Sequence, residues 1–371
     1  MVTLVGVGKV VTFIVMLSVL VVLHELGHFV MARRCGVRVN EFAVGMGPKL
    51  FGWRSPRSGT LYSFRALPIG GYCAMQGEDG KTSEAEQQRE FRETHAADGG
   101  NFQAKSAWQR LAIVLAGPIA NFVLCYVILL VGALAFGVAG SANQPVVGVV
   151  VKGSPAAVAG LRAGDRIVAI DTAAVANGGT LVDTIHNSLG KRLDLVYERN
   201  GARTEVYVTP ALCPIPGKKW GCIGFSPVPA FQRVGPLEAI RVSGSEFGNI
   251  ADETVGSIVL LATQFTKYAP QISGPIGMGQ VAATVEDWGW GPYFSLAATI
   301  SFALGLFNLL PIPALDGGRA AFIIAELIRG KPVDLEKEAM VHIAGFAALM
   351  ALMLLVAFHD IARIASGNGV I

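Results

Sequence analysis

Residues 21–30 read VVLHELGHFV. Two histidines and a glutamate stand in a run otherwise apolar enough to enter a bilayer, where ionisable groups are costly and tend to mark function. The run they belong to, residues 10–32, is long enough to cross a hydrocarbon core of ~30 Å at 1.5 Å per residue. His24 and His28 are four residues apart, so on a helix both imidazoles lie on one face, one turn above the other. With Glu25 beside His24 the pattern is HExxH, in which two histidines hold zinc and the glutamate serves as general base. The competing reading of the three is a structural polar network that bonds neighbouring helices.

The rest of the chain agrees with a membrane setting. Of 371 residues, 52% are hydrophobic and 15% charged, with a mean hydropathy of +0.50, outside the range of an ordinary soluble domain. Three further stretches can span: 111–139, 294–312 and 340–358. The first span runs past twenty residues without a small-residue cleavage site, so it is expected to be retained. Arg33, Arg34, Arg38, Lys49, Arg54, Arg57 and Arg65 follow the first span, Lys105 and Arg110 precede the second, and Arg319, Arg329, Lys331 and Lys337 follow the third. By the positive-inside rule these loops are cytoplasmic, and both termini and the region 140–292 face outward. A net charge of +3 follows this topology and makes no case for nucleic acid. Lys9 marks the outward edge of the first span, which puts His24 roughly 22 Å along the helix by its rise.

Segment 39–75 reads as strand pieces with turns between them, and TLYSFRALPIGGYCAM suggests a hairpin that dips into the membrane or borders a cavity. Residues 78–107 read as a solvated linker. On the outward side, VVGVVVKGSPAAVAGLRAGDRIVAIDTAAV from Val146 reads as strand, turn, short helix, Gly-Asp turn and strand. LDLVYERNGARTEVYVTP follows as two strands joined at Asn200-Gly201, the strongest short hairpin signal. Residues 234–270 look helical. No cysteine pair has CxxC spacing; Cys213 and Cys222 face the side where a disulfide is permitted, and whether they pair stays open. Cys125, in a span, reads as a small buried hydrophobe.

Two histidines need a third protein ligand if a zinc position is to stay open for water or substrate. His95, His186, His342 and His359 are poorly placed. Asp316, in FNLLPIPALDGGRAAF, is the carboxylate candidate: Pro311 and Pro313 break the helix before it, and a helical run from Phe294 would cover roughly 33 Å, which puts it in the cytoplasmic half with His24.

SPAAVAGLRAGDRIVAID resembles the PDZ domains of bacterial envelope proteases over 145–228, which implies binding of a peptide or C-terminus by strand addition or steric control of access. HELGH, AGPIANF at 116–122, SGPIG at 273–277 and NLLPIPALDGG at 308–318 together resemble the bacterial site-2 protease family, in its regulator-of-sigma-E protease group. That resemblance implies zinc bound by His24, His28 and Asp316, with Glu25 activating the water. It also implies a substrate backbone held by Asn308 and by the hairpin, including Gly70, Gly71 and Tyr72. Ala303 stands where many relatives have asparagine, Cys73-Ala74-Met75 lacks the lysine common after the Gly-Tyr pair, and one PDZ unit is recognisable where two are common.

The expected fold is a polytopic α-helical membrane protein of about four transmembrane helices, with a membrane-associated β-hairpin and an inserted α+β PDZ domain. Its divisions are 1–140 and 293–371 for the two halves of the membrane core, 145–228 for the PDZ domain and 229–292 for a bracing linker. The expected activity is that of a zinc-dependent intramembrane endopeptidase of the bacterial inner membrane. By resemblance, its substrates are single-span proteins such as anti-sigma factors or remnant signal peptides. A catalytically silent PDZ scaffold is the alternative, and a metal transporter is disfavoured because the second and fourth spans lack a row of ligands.

Overall fold

The structure, a computed structural model, describes residues 4–77, 100–139, 144–151, 153–213, 220–228, 231–268, 274–331 and 333–365. Most of the expected linker at 78–107, including His95, lies outside the described residues. The chain begins with α1 (Leu4–Arg34), β1 (Val39–Arg54), β2 (Leu61–Met75) and α2 (Ala107–Phe136). Then come β3 (Val138–Ala139), β4 (Val147–Val150), α3 (Pro155–Val158), β5 (Arg166–Ile170), β6 (Ala173–Ala174), α4 (Gly178–His186), β7 (Leu193–Arg199) and β8 (Ala202–Val208). Short strands β9 (Ala211–Leu212), β10 (Gly221–Cys222), β11 (Phe225–Pro227) and β12 (Phe231–Gln232) lead to α5 (Pro236–Thr263) and α6 (Phe265–Tyr268). The chain closes with α7 (Pro275–Asp287), α8 (Trp290–Leu309), α9 (Asp316–Arg329) and α10 (Leu335–Ala365).

Among the described residues, four helices are long and apolar enough to cross a membrane: Gly8–Arg34, Ala107–Phe136, Trp290–Leu309 and Glu336–Ala365. Their ends follow local chemistry. α1 carries Arg33 and Arg34 in its last turn, and Gly36, at φ 72°, lets the Val37 N–H turn back to the Ala32 carbonyl at 2.8 Å, a glycine-terminated helix end. α2 starts with a capping box: Ser106 Oγ accepts from Gln109 N–H while Gln109 Oε1 accepts from Ser106 N–H. The third span is shorter at its C-terminal end than residues 294–312 suggest, and no continuous helix runs to Asp316. Pro311 and Pro313 have no N–H to continue it, and a new helix opens at Asp316.

By contact density the chain forms two compact units, one of Met1–Leu129, Glu246–Ile272 and Leu296–Ala357, the other of Leu130–Ser245, Ser273–Ser295 and Phe358–Ile371. In the first, Ala32, Phe42, Cys73, Ile113, Val114 and Ile323 share a buried core that joins α1, α2 and α9 to the β1–β2 pair. Gly27 lies so close to the Ala116 carbonyl that a Cβ would overlap it, the close approach that small residues allow between apolar helices. Cys125 is fully buried with Leu129, Ile250, Ala298 and Phe302, as expected of a small hydrophobe. β1 and β2 pair antiparallel with repeated register breaks, so Ala43 and Val44 lie beside both Ser63–Phe64 and Gly71–Tyr72.

In the second unit, β6-β5-β7-β8 form a four-stranded sheet over a core that includes Ala156, Leu161, Ile167, Leu181 and Leu195. The element order matches the PDZ-like reading. Ser154 caps α3 with Pro155 in its first turn. Asn200 and Gly201, at φ 52° and 81°, make the tight turn between β7 and β8, with two positive-φ residues as a type I′ hairpin requires. The Gly-Asp turn has a structural use: buried Asp165 accepts from the Arg162 N–H at 2.7 Å and from Arg199 Nε and Nη2, each at 2.7 Å. Cys213 and Cys222 are joined as a disulfide. SGPIG, whose Ser273 lies outside the described residues, is anchored by the last helix. Fully buried Asp360 accepts from Gly274 N–H at 3.2 Å and Gly277 N–H at 2.8 Å, which puts a carboxylate on the N-terminus of α7, where the helix dipole favours it.

Candidate metal centre and substrate cleft

His24 and His28 lie on the same face of α1, both buried at 7% and 6% exposure, with their rings edge to face. The first turn of α9 brings Asp316 to them. Asp316 Oδ2 is 3.1 Å from His24 Nε2 and 3.3 Å from His28 Nε2, and the two Nε2 atoms are 3.2 Å apart. Among the described residues this is the one cluster of three or more His, Cys, Asp or Glu side chains with metal-ligand spacing. Gly317 and Gly318, the residues after Asp316, lie against the carbonyls of Leu309, Leu310 and Ile312 with no space for a Cβ. That contact lets the chain double back so sharply.

The remaining ring nitrogens fix how the imidazoles can act. His28 Nδ1 is 2.9 Å from the Ile113 carbonyl, which can only accept, so Nδ1 carries the proton and Nε2 of the neutral ring presents a lone pair. That lone pair faces carboxylate oxygen Oδ2, which has no well-formed hydrogen bond among the described residues. Three electron-rich atoms directed at one another repel unless a cation sits between them. A point equidistant from the three lies about 1.9 Å from each, close to the ~2.0–2.2 Å of zinc's nitrogen and oxygen contacts. The donor set therefore fits zinc. Gly117 lies under the His28 ring, where a Cβ would overlap Nε2.

His24 has a partner that the sequence reading missed. The Asn121 side-chain amide lies 3.1 Å from His24 Nδ1 through Nδ2, while the oxygen of the same amide has no partner among the described residues. Turned over, the amide accepts a proton from Nδ1 through Oδ1 and leaves Nε2 free for the metal, the arrangement that ligating histidines commonly use. A signal was present: Asn121 is polar within an apolar span, four residues after Gly117 on the same helical face.

A cavity of about 210 Å³ opens beside the cluster, lined by Val21, His24, Glu25, Asn121, Leu304, Asn308, Ala314 and Asp316. Glu25 and Asn308 are thus both brought to the cluster, whereas Ala303 is not on the cavity wall. Gly70, Gly71 and Tyr72 do not line it. They lie on β2 beside α1: the Ser18 hydroxyl donates to the Pro68 carbonyl, and a Cβ on Gly71 would come 3.7 Å from Val22 Cγ2, next to cavity-lining Val21. Among the described residues, 71–75 takes strand partners on one side only, from 39–44. The Tyr72 ring lies 5.0 Å under the Arg65 guanidinium, and Arg65 pairs with Glu41 at 2.8 Å. Burial and the neighbouring Glu41 carboxylate push the Tyr72 phenol up to about 12. The Tyr72 side chain is therefore engaged within the hairpin, and what the hairpin offers a partner is its backbone.

The model of Peptidase family M50 matches residues 12–352. The chain belongs to that family. It is similar to the zinc metalloprotease RasP of Bacillus licheniformis, with 33% identity over 96% of this chain and 99% of that protein. It is similar too to the regulator of sigma-W protease RasP of Bacillus subtilis, at 32% identity over 96% and 99%. A solved PDZ domain of an SdrC-like protein from Listeria monocytogenes is 25% identical and covers 24% of this chain and 92% of its own, with a TM-score of 0.21. The family match takes in both HELGH and Asp316, the two ends of the cluster in this M50 peptidase.

Proposed function

We propose that this M50 peptidase is a zinc-dependent endopeptidase that cleaves single-span proteins within the bacterial inner membrane. The observation that carries the reading is the convergence of His24 Nε2, His28 Nε2 and Asp316 Oδ2 beside a cavity that Glu25 and Asn308 line. His24, His28 and Asp316 are the ligands, and Zn2+ is the cofactor, one per chain. When bound, zinc supplies a Lewis acid for the scissile carbonyl and brings the pKa of its water to ~7. Glu25 takes the proton of the attacking water and passes it to the leaving amine. Asn121 and the Ile113 carbonyl hold the two imidazoles in the tautomers the ligand role needs.

A transmembrane helix has its amides bonded internally and has to unwind before it is cut. Asn308 offers polar contacts to the released backbone, and the free edge at Gly70, Gly71 and Tyr72 offers strand pairing. Leu50, Phe51 and Leu67 are 72, 61 and 56% exposed on the hairpin beside Lys49, Arg54 and Arg57. An apolar surface with a basic border suits insertion at the cytoplasmic bilayer interface. The Lys and Arg distribution supports the same orientation, with the PDZ domain and both termini periplasmic. The disulfide Cys213–Cys222 fits an oxidising compartment on that side. The substrates are anti-sigma-factor-like proteins or remnant signal peptides, and the PDZ domain, within 145–228, takes an extended peptide or C-terminus, or limits access.

The test is Glu25→Gln in the full chain with a model transmembrane substrate. Cleavage is expected to fall by about 10²–10⁴-fold while zinc content stays near one per chain; His24→Ala and Asp316→Ala should lose the metal. Cleavage at the parent rate by Glu25→Gln would leave Glu25 without its role, and a parent chain that never cleaves would favour a silent scaffold.

A further inference from the structure

Asp316 is delivered by a turn that its own residues do not favour. Ala314 adopts φ 79°, a left-handed conformation that residues other than glycine, asparagine and aspartate rarely enter, and its methyl side chain cannot bond the backbone to compensate. The support comes from the last helix. The Ala314 N–H donates to His342 Nδ1 at 2.9 Å. One turn further along α10, Gly345 lies against Pro313, where a Cβ would be 2.8 Å from the Pro313 carbonyl oxygen. The His342 ring also rests 5.6 Å from the Phe322 ring of α9. Because the Ala314 amide can only donate, His342 Nδ1 is unprotonated and its proton is on Nε2, which is 4.0 Å from Glu338 Oε1 one turn earlier. His342 thus acts on the loop that presents the carboxylate, although it is not itself in the His–Asp cluster.

We propose that His342 is a positioning residue for the metal centre: by accepting the Ala314 N–H it holds the left-handed turn and so sets the Asp316 carboxylate opposite His24 and His28. The proposal rests on Asp316 being a zinc ligand. A purely space-filling role for His342 against Phe322 predicts a different pattern of rescue, because what matters here is an acceptor atom at one place and a backbone conformation at another. Asparagine places Oδ1 where histidine has Nδ1, and glycine adopts positive φ without steric cost.

The experiment measures zinc affinity by chelator competition on the purified full chain for His342→Leu, His342→Asn, the double variant His342→Leu/Ala314→Gly, and Asp316→Asn, with helix content checked by circular dichroism. Asp316→Asn is expected to lose zinc. His342→Leu should weaken binding on the order of tenfold, toward the lower end of what outer-shell partners contribute, while His342→Asn and the double variant should return close to the parent. If His342→Leu does not fold, His342→Gln, whose acceptor is one bond too far out, takes its place in the same comparison. Parent affinity in His342→Leu, or a loss that neither asparagine nor the glycine repairs, overturns the positioning role. Zinc retained at parent affinity by Asp316→Asn overturns the ligand assignment itself and this proposal with it, whereas loss there with no effect at His342 overturns this proposal alone.

Discussion

His24 needs its proton on Nδ1 if Nε2 is to face a metal, and Asn121 is the residue within reach of that proton. Asn121→Leu removes the acceptor while keeping similar volume, so zinc affinity should fall by about 10–100-fold with the helices intact; chelator competition reads it, and an unchanged affinity would mean that the amide only fills the helix contact. Gly117 carries the companion lesson for His28, since any side chain there occupies the imidazole's place. At this scale HExxH was legible because four-residue spacing along one helix is local. The Asn121 contact was not, because it joins residues 97 apart in the chain and depends on how α1 and α2 cross.

Among the elements, the short helix and strands of the PDZ-like domain meet at the Asp165–Arg199 pair. Burial alone raises a carboxyl's pKa, but here the Arg199 bonds and the Arg162 N–H outweigh it and hold Asp165 below the usual carboxylate range. A depressed folded-state pKa stabilises the fold above the unfolded value of ~3.9 and is lost as pH falls through the lower, folded one. Resistance of the 144–228 region to an acid-active protease should therefore decline below about pH 4 in the parent. In Arg199→Ala, which leaves the Asp165 carboxylate with the Arg162 N–H but without its guanidinium partner, the region should be labile at neutral pH as well; equal resistance of parent and variant at pH 7 would contradict this. Most of this domain was readable in advance: Ser154-Pro155 and Asn200-Gly201 are chain-local signals for a helix start and a tight turn. The sequence does not decide the Cys213–Cys222 disulfide, because proximity along the chain does not set the geometry of two Cβ atoms.

For the molecule as a whole, the His24–His28–Asp316 cluster joins α1 to α9, elements nearly three hundred residues apart, so zinc bound there should stabilise the membrane core by mass action. Free zinc at a hundredfold over its dissociation constant contributes ~2.7 kcal/mol. Chelation should lower the melting temperature of the parent and of Glu25→Gln, and leave His24→Ala unmoved; a parent melt indifferent to chelator would argue that the site does not hold metal. The third span shows the limit of sequence reading at this scale. Asp316 does lie beside His24, but a continuous helix does not bring it there: the helix stops at Leu309, the chain turns through Pro311 and Pro313, and a new helix starts at Asp316.

The sequence by itself determined the apolar spans, the HExxH face, the candidate carboxylate and the order of elements in the outward domain, because hydropathy, helical periodicity and turn chemistry act over a few residues. Only the tertiary structure decided that three lone-pair atoms converge within 3.3 Å, that Asn121 and the Ile113 carbonyl orient the histidines, and that His342 supports Ala314. Those outcomes depend on the crossing of helices at glycine contacts. No local pattern encodes such distances, because they are set by which surfaces approach closely enough to exclude a side chain.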